Sequence, residues 1–398
     1  MEILSPILFI EINNSEYVFV VGDSDENNNF KIIYKNAIPA EGSKNKKITD
    51  FDLIFNVLKK NIYQVEQKLN YTFKELILII DNFNFSFFNL TGFKKLNGSQ
   101  ILKENITYIL NSLKSNIDDI EDQKKILHIF NSKFLLDKQE TENLPIGLHG
   151  NFYSHELSFN LMDNNDYKDL SNIFKKCNLK IKKILMKNFV KAAFISNQNP
   201  NLNTFFQIEI YKKNSRIFYF GNDALKFEQR FNFGSDIILN DISKITNLNR
   251  DTIIKILQNP LFNQNKLAQD LVEKKFFEGK NYRKIKKNLI FEIATARIQE
   301  LSKIILLNNI NLKSYIKRDT KVFLIIADLY NFECLKENFI ASLSDNEFFK
   351  VLYEERILTK DLIYSASNLV NFGWKKEAVP IIHSKKSIIA KFFDAIFS

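Results

Sequence analysis

The chain has 398 residues, 45% of them apolar, which suits the cores of two or three domains and excludes wholesale disorder. Glycine numbers 10 and proline 6, together about 4% of the chain where roughly 12% is usual. No G-x-G-x-x-G, G-x-x-x-x-G-K-S/T or G-x-S-x-G can be read, so Gly-loop nucleotide enzymes of those types are excluded. The formal net charge of +10 either draws an anionic partner or reflects A/T-rich codons, which also favour Asn, Ile and the 38 Phe.

Cys177 and Cys334 form no C-x-x-C and the four histidines no H-E-x-x-H, which argues against a disulfide scaffold and a Cys-based zinc site. His149 and His155 read as a solvated loop pair. No apolar stretch reaches the length of a spanning helix, and Met1 to Pro6 lack the basic region and cleavage site of a signal peptide. The expected compartment is the cytoplasm.

In chain order, Ile7 to Ile12 and Glu16 to Val21 flank Asn13-Asn14, a hairpin signal, because Asn tolerates positive φ. Ile32 to Tyr34 make a third strand. Asp50 caps a helix whose Ile54, Leu58, Ile62, Val65 and Leu69 recur at helical spacing. Leu76 to Ile80 read as a buried strand. Residues 84–165 then read strand, helix (99–115), strand, polar loop and strand, a small α+β insertion. A helix (167–177) and a strand (181–186) resume the earlier style.

From about residue 200 the plan repeats. Phe205 to Ile210 and Arg216 to Phe220 form a second hairpin, and Leu225 to Phe231 a third strand. Gly234-Ser235-Asp236 lead into a helix. Helices dominate 250–310, Lys321 to Ala327 make a strand, and helices follow at 335–345 and 360–369. Two copies of a βββαβα unit are the plan of the actin/Hsp70 fold, which holds nucleotide phosphates between two hairpins.

Particular residues carry the resemblance further. Phe233-Gly234-Ser235-Asp236-Ile237-Ile238-Leu239-Asn240-Asp241-Ile242 resembles the FGGDHVTNDIA segment of the FtsA family, bacterial cell-division actin homologues. Leu289 to Leu301 resembles its LAEIIEARVEEL helix, Asn178 to Met186 more loosely its GLKVDDIVLEP region, and Pro145 to Leu148 its PVGMSG loop. The resemblance covers essentially the whole chain, through the order and spacing of the motifs. It implies an α/β, two-lobed actin-like fold with an inserted subdomain 1C.

The implied organisation is lobe 1 at 1–83 and 166–198, with subdomain 1C at 84–165. Lobe 2 covers 199–248 and 316–370, with a helical subdomain 2B at 249–315, a linker at 371–384 and a terminal amphipathic helix at 385–398.

The family binds ATP and Mg²⁺ through glycine-rich hairpins, DIGTS and DIGGGTTD. The corresponding positions here are Glu11, Asn13, Asn14 and Ser15, then Glu209, Lys212, Lys213, Asn214 and Ser215, with Gly234 following. Tyr211, Lys212 and Lys213 replace glycines whose missing Cβ lets backbone N–H groups approach phosphate, and Arg216 replaces a carboxylate that helps to hold Mg²⁺. No glycine lies between Gly279 and Gly373, so the adenosine-side motif is absent too. ATP and Mg²⁺ are therefore expected to bind weakly or not at all, with no catalytic residue and no metal site.

Two further clusters bear on partners. In Lys385 to Ser398, Ile388, Ile389, Phe392, Phe393, Ile396 and Phe397 fill about half a helix circumference, with Lys385, Lys386 and Lys391 beside them. This reads either as a helix packed on the core or, as the resemblance implies, as a segment lying in an anionic lipid surface. The basic run before the 288–308 helix, with Arg283, Lys286 and Lys287, is either a solvated face or a docking site, and Arg297 lies on that helix. The resemblance implies binding there of the FtsZ C-terminal tail, self-association into filaments and contact with other divisome proteins. No nucleic-acid partner is expected.

The function so implied is tethering of FtsZ filaments to the cytoplasmic face of the inner membrane at the division septum. The alternatives are an FtsA-related pilus-assembly homologue and an actin-fold ATPase that retains ATP binding.

Overall fold

Alternating and continuous apolar runs set the first sheet. β1 (Ile7–Ile12), β2 (Glu16–Ser24) and β3 (Phe30–Pro39) are antiparallel neighbours. A two-residue ribbon, β4 (Ser43–Lys44) with β5 (Lys47–Ile48), leads to α1 (Phe51–Leu69). The Asp50 carboxylate accepts the Leu53 N–H at 2.9 Å to start α1, and Asn70, at φ 48°, ends it in the left-handed conformation that Asn accepts readily. Ile54, Leu58, Ile62 and Val65 face the core, and β6 (Glu75–Ile80) follows parallel to β1.

The chain then leaves this sheet for an antiparallel one. β7 (Phe85–Lys95), α2 (Lys103–Ile120), β8 (Lys124–Leu136), β9 (Gln139–Thr141) and β10 (Phe152–Asp163) form an insert with strand order β7-β10-β8-β9. Ile106, Ile109, Leu113 and Ile117 of α2 pack with Leu157, Phe159 and Leu161 of β10. The helix starts four residues later than the sequence suggests and runs to Ile120. α3 (Asn164–Lys176) and β11 (Lys180–Met186) return to the first sheet, whose order is β11-β6-β1-β2-β3.

α4 (Lys187–Gln198) precedes the second set of strands, β12 (Phe205–Ile210), β13 (Ser215–Gly221) and β14 (Ala224–Phe231). Helices α5 (Asp236–Thr246), α6 (Arg250–Leu257) and α7 (Lys287–Ser302) follow, the last running on as a π-helical turn to Leu307. β15 (Thr320–Ile326), α8 (Glu333–Ser344), β16 (Phe349–Tyr353) and α9 (Thr359–Asn371) complete the order. The second sheet runs β14-β13-β12-β15-β16, with β12 antiparallel to β13 and parallel to β15. Each sheet thus has its first strand in the centre, a hairpin mate on one side and a parallel strand on the other.

These coordinates come from a computed structural model that describes residues 6–13, 15–24, 30–44, 47–81, 83–258, 270–277, 282–326, 333–344, 348–353 and 357–378. The chain forms two compact units, Met1–Asn203 with Gly221–Lys226 and Ile357–Ser398, and Thr204–Phe220 with Phe227–Arg356. α9, grouped with the second lobe by sequence, packs on α4 of the first unit: the Ser365 hydroxyl donates to the Val190 carbonyl at 3.2 Å. The first half of the expected linker is also packed. Trp374 is 4% exposed, its indole N–H donates to the Asp223 carbonyl at 2.7 Å, and Glu377 is fully buried. The amphipathic segment 385–398 lies outside the described residues.

Candidate functional site

The turn of the first hairpin closes on a side chain. The Asn13 Oδ1 accepts the Ser15 N–H at 2.8 Å, the Ser15 hydroxyl at 2.7 Å and the Glu16 N–H at 2.9 Å. Two amide groups that a phosphate hairpin would offer to an anion, those of Ser15 and Glu16, are therefore taken by Asn13. Glu11, one residue before the end of β1, is buried, accepts the Asn13 amide at 2.9 Å and pairs with the ammonium of Lys187 at the start of α4. Asn14 lies outside the described residues.

The second hairpin repeats this plan by other means. Glu209, again one residue before a strand end, faces Arg216 directly across the β12–β13 pair. Its carboxylate accepts Arg216 Nε at 2.6 Å, the Tyr211 hydroxyl at 2.6 Å and Gln207 Nε2 at 2.8 Å, and Arg216 Nη2 donates to the Tyr211 oxygen at 3.0 Å. Glu209 and Arg216 are both buried, so each charge is balanced inside the protein. Lys212 is half-buried, while Lys213 and Asn214 are exposed at the tip.

Gly234 explains how the following helix meets this hairpin. A Cβ there would stand 2.0 Å from the Tyr211 carbonyl oxygen and 2.7 Å from that of Lys212. The close approach lets the Ser235 N–H reach the Tyr211 carbonyl and the Asp236 N–H the Lys212 carbonyl, each at 2.9 Å. Ser215 completes the seam, its hydroxyl donating to the Phe233 carbonyl at 2.8 Å. The first N–H groups of α5, a natural anion site, are thus spent on the hairpin's own backbone.

The expected basic face is partly neutralised. Lys287 pairs with Glu273 at 3.3 Å, and Lys275, which shares that carboxylate, is the main cause of its lowered pKa. Arg283, Lys284 and Lys286 are exposed. Arg297 lies ten residues, about 15 Å, further along α7. It pairs with Asp241 of α5 and with Glu300, so it joins two helices. Among the described residues no group of three or more His, Cys, Asp or Glu could hold a metal ion, and no helix is long and apolar enough to cross a membrane.

His155 departs from its reading as a solvated residue. It is buried on β10, its Nε2 sits 2.8 Å from the Asn131 Oδ1, and burial, with Lys376 nearby, lowers its pKa to about 3. Lys187 as partner of Glu11 leaves no signal in the sequence, because the two meet only in the folded sheet. Glu209 opposite Arg216 does follow from the sequence, by counting back from the hairpin turn.

No protein-family model matches the chain. Among solved structures, the PilM-PilN type IV pilus biogenesis complex is similar at a TM-score of 0.50 and 9% identity, over 92% of this chain and 97% of that one. The fold is actin-like. In sequence, the cell division protein FtsA of Buchnera aphidicola subsp. Acyrthosiphon pisum is 22% identical over 246 residues, 62% of this chain and 58% of that protein. The FtsA of Escherichia coli is 17% identical over 237 residues, 60% of this chain and 56% of that protein. The matched regions thus span less than two thirds of these FtsA proteins. What the comparisons carry is an actin-like fold with FtsA-like sequence.

Proposed function

We propose that the chain is an FtsA-like adaptor that tethers FtsZ filaments to the cytoplasmic face of the inner membrane and helps to assemble the septal ring. The sequence similarity to FtsA carries this reading. In it, residues 385–398 engage anionic lipid, and the exposed Arg283 and Lys286, with Lys287, attract the FtsZ tail. Self-association multiplies both weak contacts by avidity. Such tethering needs binding surfaces but no turnover. Charge reversal at Arg283 and Lys286 should weaken binding of an FtsZ tail peptide at low salt, because steering by exposed charge is screened by ions. Unchanged affinity would move the docking site elsewhere.

The residues at the two hairpins do not fit a Mg²⁺–nucleotide. Asn13 takes the Ser15 and Glu16 amides of the first turn, Glu209 holds Arg216, and the hairpin carbonyls take the Ser235 and Asp236 amides where the helix begins. Calorimetry with Mg²⁺-ATP should show no saturation at cellular ATP levels. A micromolar dissociation constant would instead favour the ATPase reading.

A second reading, a pilus-assembly homologue, is favoured by the structural likeness to the PilM-PilN complex. Binding of the FtsZ tail peptide in solution separates the two. Affinity for it supports the division adaptor, and its absence in a folded, lipid-binding chain supports the pilus role.

A further inference from the structure

Residues 374–378 run from the end of α9 back across the first unit. Trp374 meets Phe189 edge-on with ring centroids 6.0 Å apart, and Lys375 pairs with the Asp223 carboxylate at 2.8 Å. The strap then lies antiparallel along β8. The Asn131 N–H donates to the Lys376 carbonyl and the Ala378 N–H to the Ile129 carbonyl, both at 2.7 Å. β9 pairs with β8 at Phe134 to Leu136, so the strap covers a stretch of that edge which β9 does not reach.

Between these two bonds Glu377 turns inward with no exposed surface. Its Oε2 lies 2.8 Å from Lys183 Nζ on β11, and its Oε1 lies 3.1 Å from His128 Nδ1 on β8. The Met186 N–H points to His128 Nε2 at 3.5 Å, which makes Nε2 the acceptor and leaves the proton on Nδ1. One carboxylate therefore joins the insert's sheet, the first sheet and the strap that leads into the C-terminal segment. Phe130 stacks on the same imidazole at 5.8 Å, and Phe189 packs against it at a tilt, 5.0 Å away.

We propose that residues 374–378 are a releasable latch: seated, they fasten the insert to the first sheet, and protonation of His128 selects the released state. In that state the β8 edge is uncovered and the root of the C-terminal segment is free. The latch links the C-terminal segment to the insert.

Buried charges make the strap leave or stay as a whole. A buried ion pair adds little net stability, yet removing one partner is costly, so the seat is favourable only when complete. A strap held this way leaves as a unit. The charged groups facing His128 are Glu377 from the strap and Lys183 from β11. Burial lowers the imidazole's pKa, Glu377 opposes that and Lys183 adds to it, so the seated ring stays neutral. Once released it regains the solution value of about 6.5 and takes up a proton as pH falls through that value. Burial pushes the Glu377 carboxyl up, but Lys183 and His128 more than reverse this and hold it at about 2. It acts in the same direction only below its ordinary 4.5. Between pH 7.5 and 5.5 the groups able to take up a proton on release are His128 and, through Lys376 of the strap, His155, and the His128→Asn variant separates the two.

Amide hydrogen exchange on the full chain tests the latch. The probes are the Asn131 and Ala378 amides, corrected for intrinsic rates and read against amides of β6, which cancels pH effects on the whole fold. The opening constant at the two probes should be about tenfold larger at pH 5.5 than at pH 7.5. His128→Asn should flatten that dependence, and Glu377→Gln should raise opening at pH 7.5 at least tenfold. An opening constant in the unmodified chain that ignores pH would overturn the proposal without need of any variant. So would a His128→Asn chain that keeps the full tenfold change.

Discussion

Glu209 and Arg216 bury opposite charges 2.6 Å apart in the second hairpin. Arg216→Met should destabilise the protein by about 3–5 kcal/mol in urea denaturation, because it leaves a buried carboxylate without this partner. Adding Glu209→Leu to that variant should recover most of the loss. If the double variant is as unstable as the single, the hairpin needs the pair for its geometry and not for charge balance. His155 gives a pH prediction. Its folded pKa near 3 lies below the unfolded value, so its contribution is complete above about pH 6.5 and declines as pH falls toward 3. About 1 kcal/mol should be lost between pH 7.5 and 5.5, and His155→Gln should remove that part of the slope in paired denaturation curves. Legibility at this scale followed sequence distance. Glu209 and Arg216 face each other across a short turn, so register arithmetic reveals them. Lys187 reaches Glu11 across 176 residues, a pairing that only the folded first sheet creates.

At the scale of elements, the seam between the second hairpin and α5 depends on Gly234. Gly234→Ala would drive a Cβ into two backbone carbonyls that cannot rotate away. We expect a loss of about 1–3 kcal/mol, seen as a lowered thermal midpoint. A midpoint unchanged by this substitution would mean that the helix entry shifts at no cost. Hairpins and amphipathic helices were readable because their burial leaves a period in the sequence. α4 was not. Asn188, Phe189, Val190, Lys191, Ala192, Ala193, Ile195 and Ser196 are all buried, so no polar face marks its rhythm. β16 leaves a weak pattern for the opposite reason, since only Phe349 among its five residues is buried. The strap at 374–378 has no sequence period at all, because its place is set by the β8 edge and a buried carboxylate.

At the scale of the whole molecule, the proposed tether predicts that the body and the lipid-binding segment separate. Six large apolar side chains in 385–398, at roughly 1.5–3 kcal/mol each if fully buried, support reversible attachment after the cost of ordering the segment. Deleting 385–398 should abolish co-sedimentation with anionic liposomes while the melting curve stays in place. Retention of the truncated chain at the full-length level would leave residues 385–398 with a packing role. The fold-level reading needed no such test, because two sheets with the same strand plan follow from the repeated hairpin, helix and strand signals. The return of α9 and the strap to the first unit has a consequence for biosynthesis. Translation supplies the entire second unit before α9, the covering of α4, is made. At about 5–20 residues per second, the roughly 160 residues between α4 and α9 leave that surface bare for about 8–30 seconds on the ribosome. A nascent chain stalled near residue 356 should therefore bind a chaperone that one stalled beyond the strap does not.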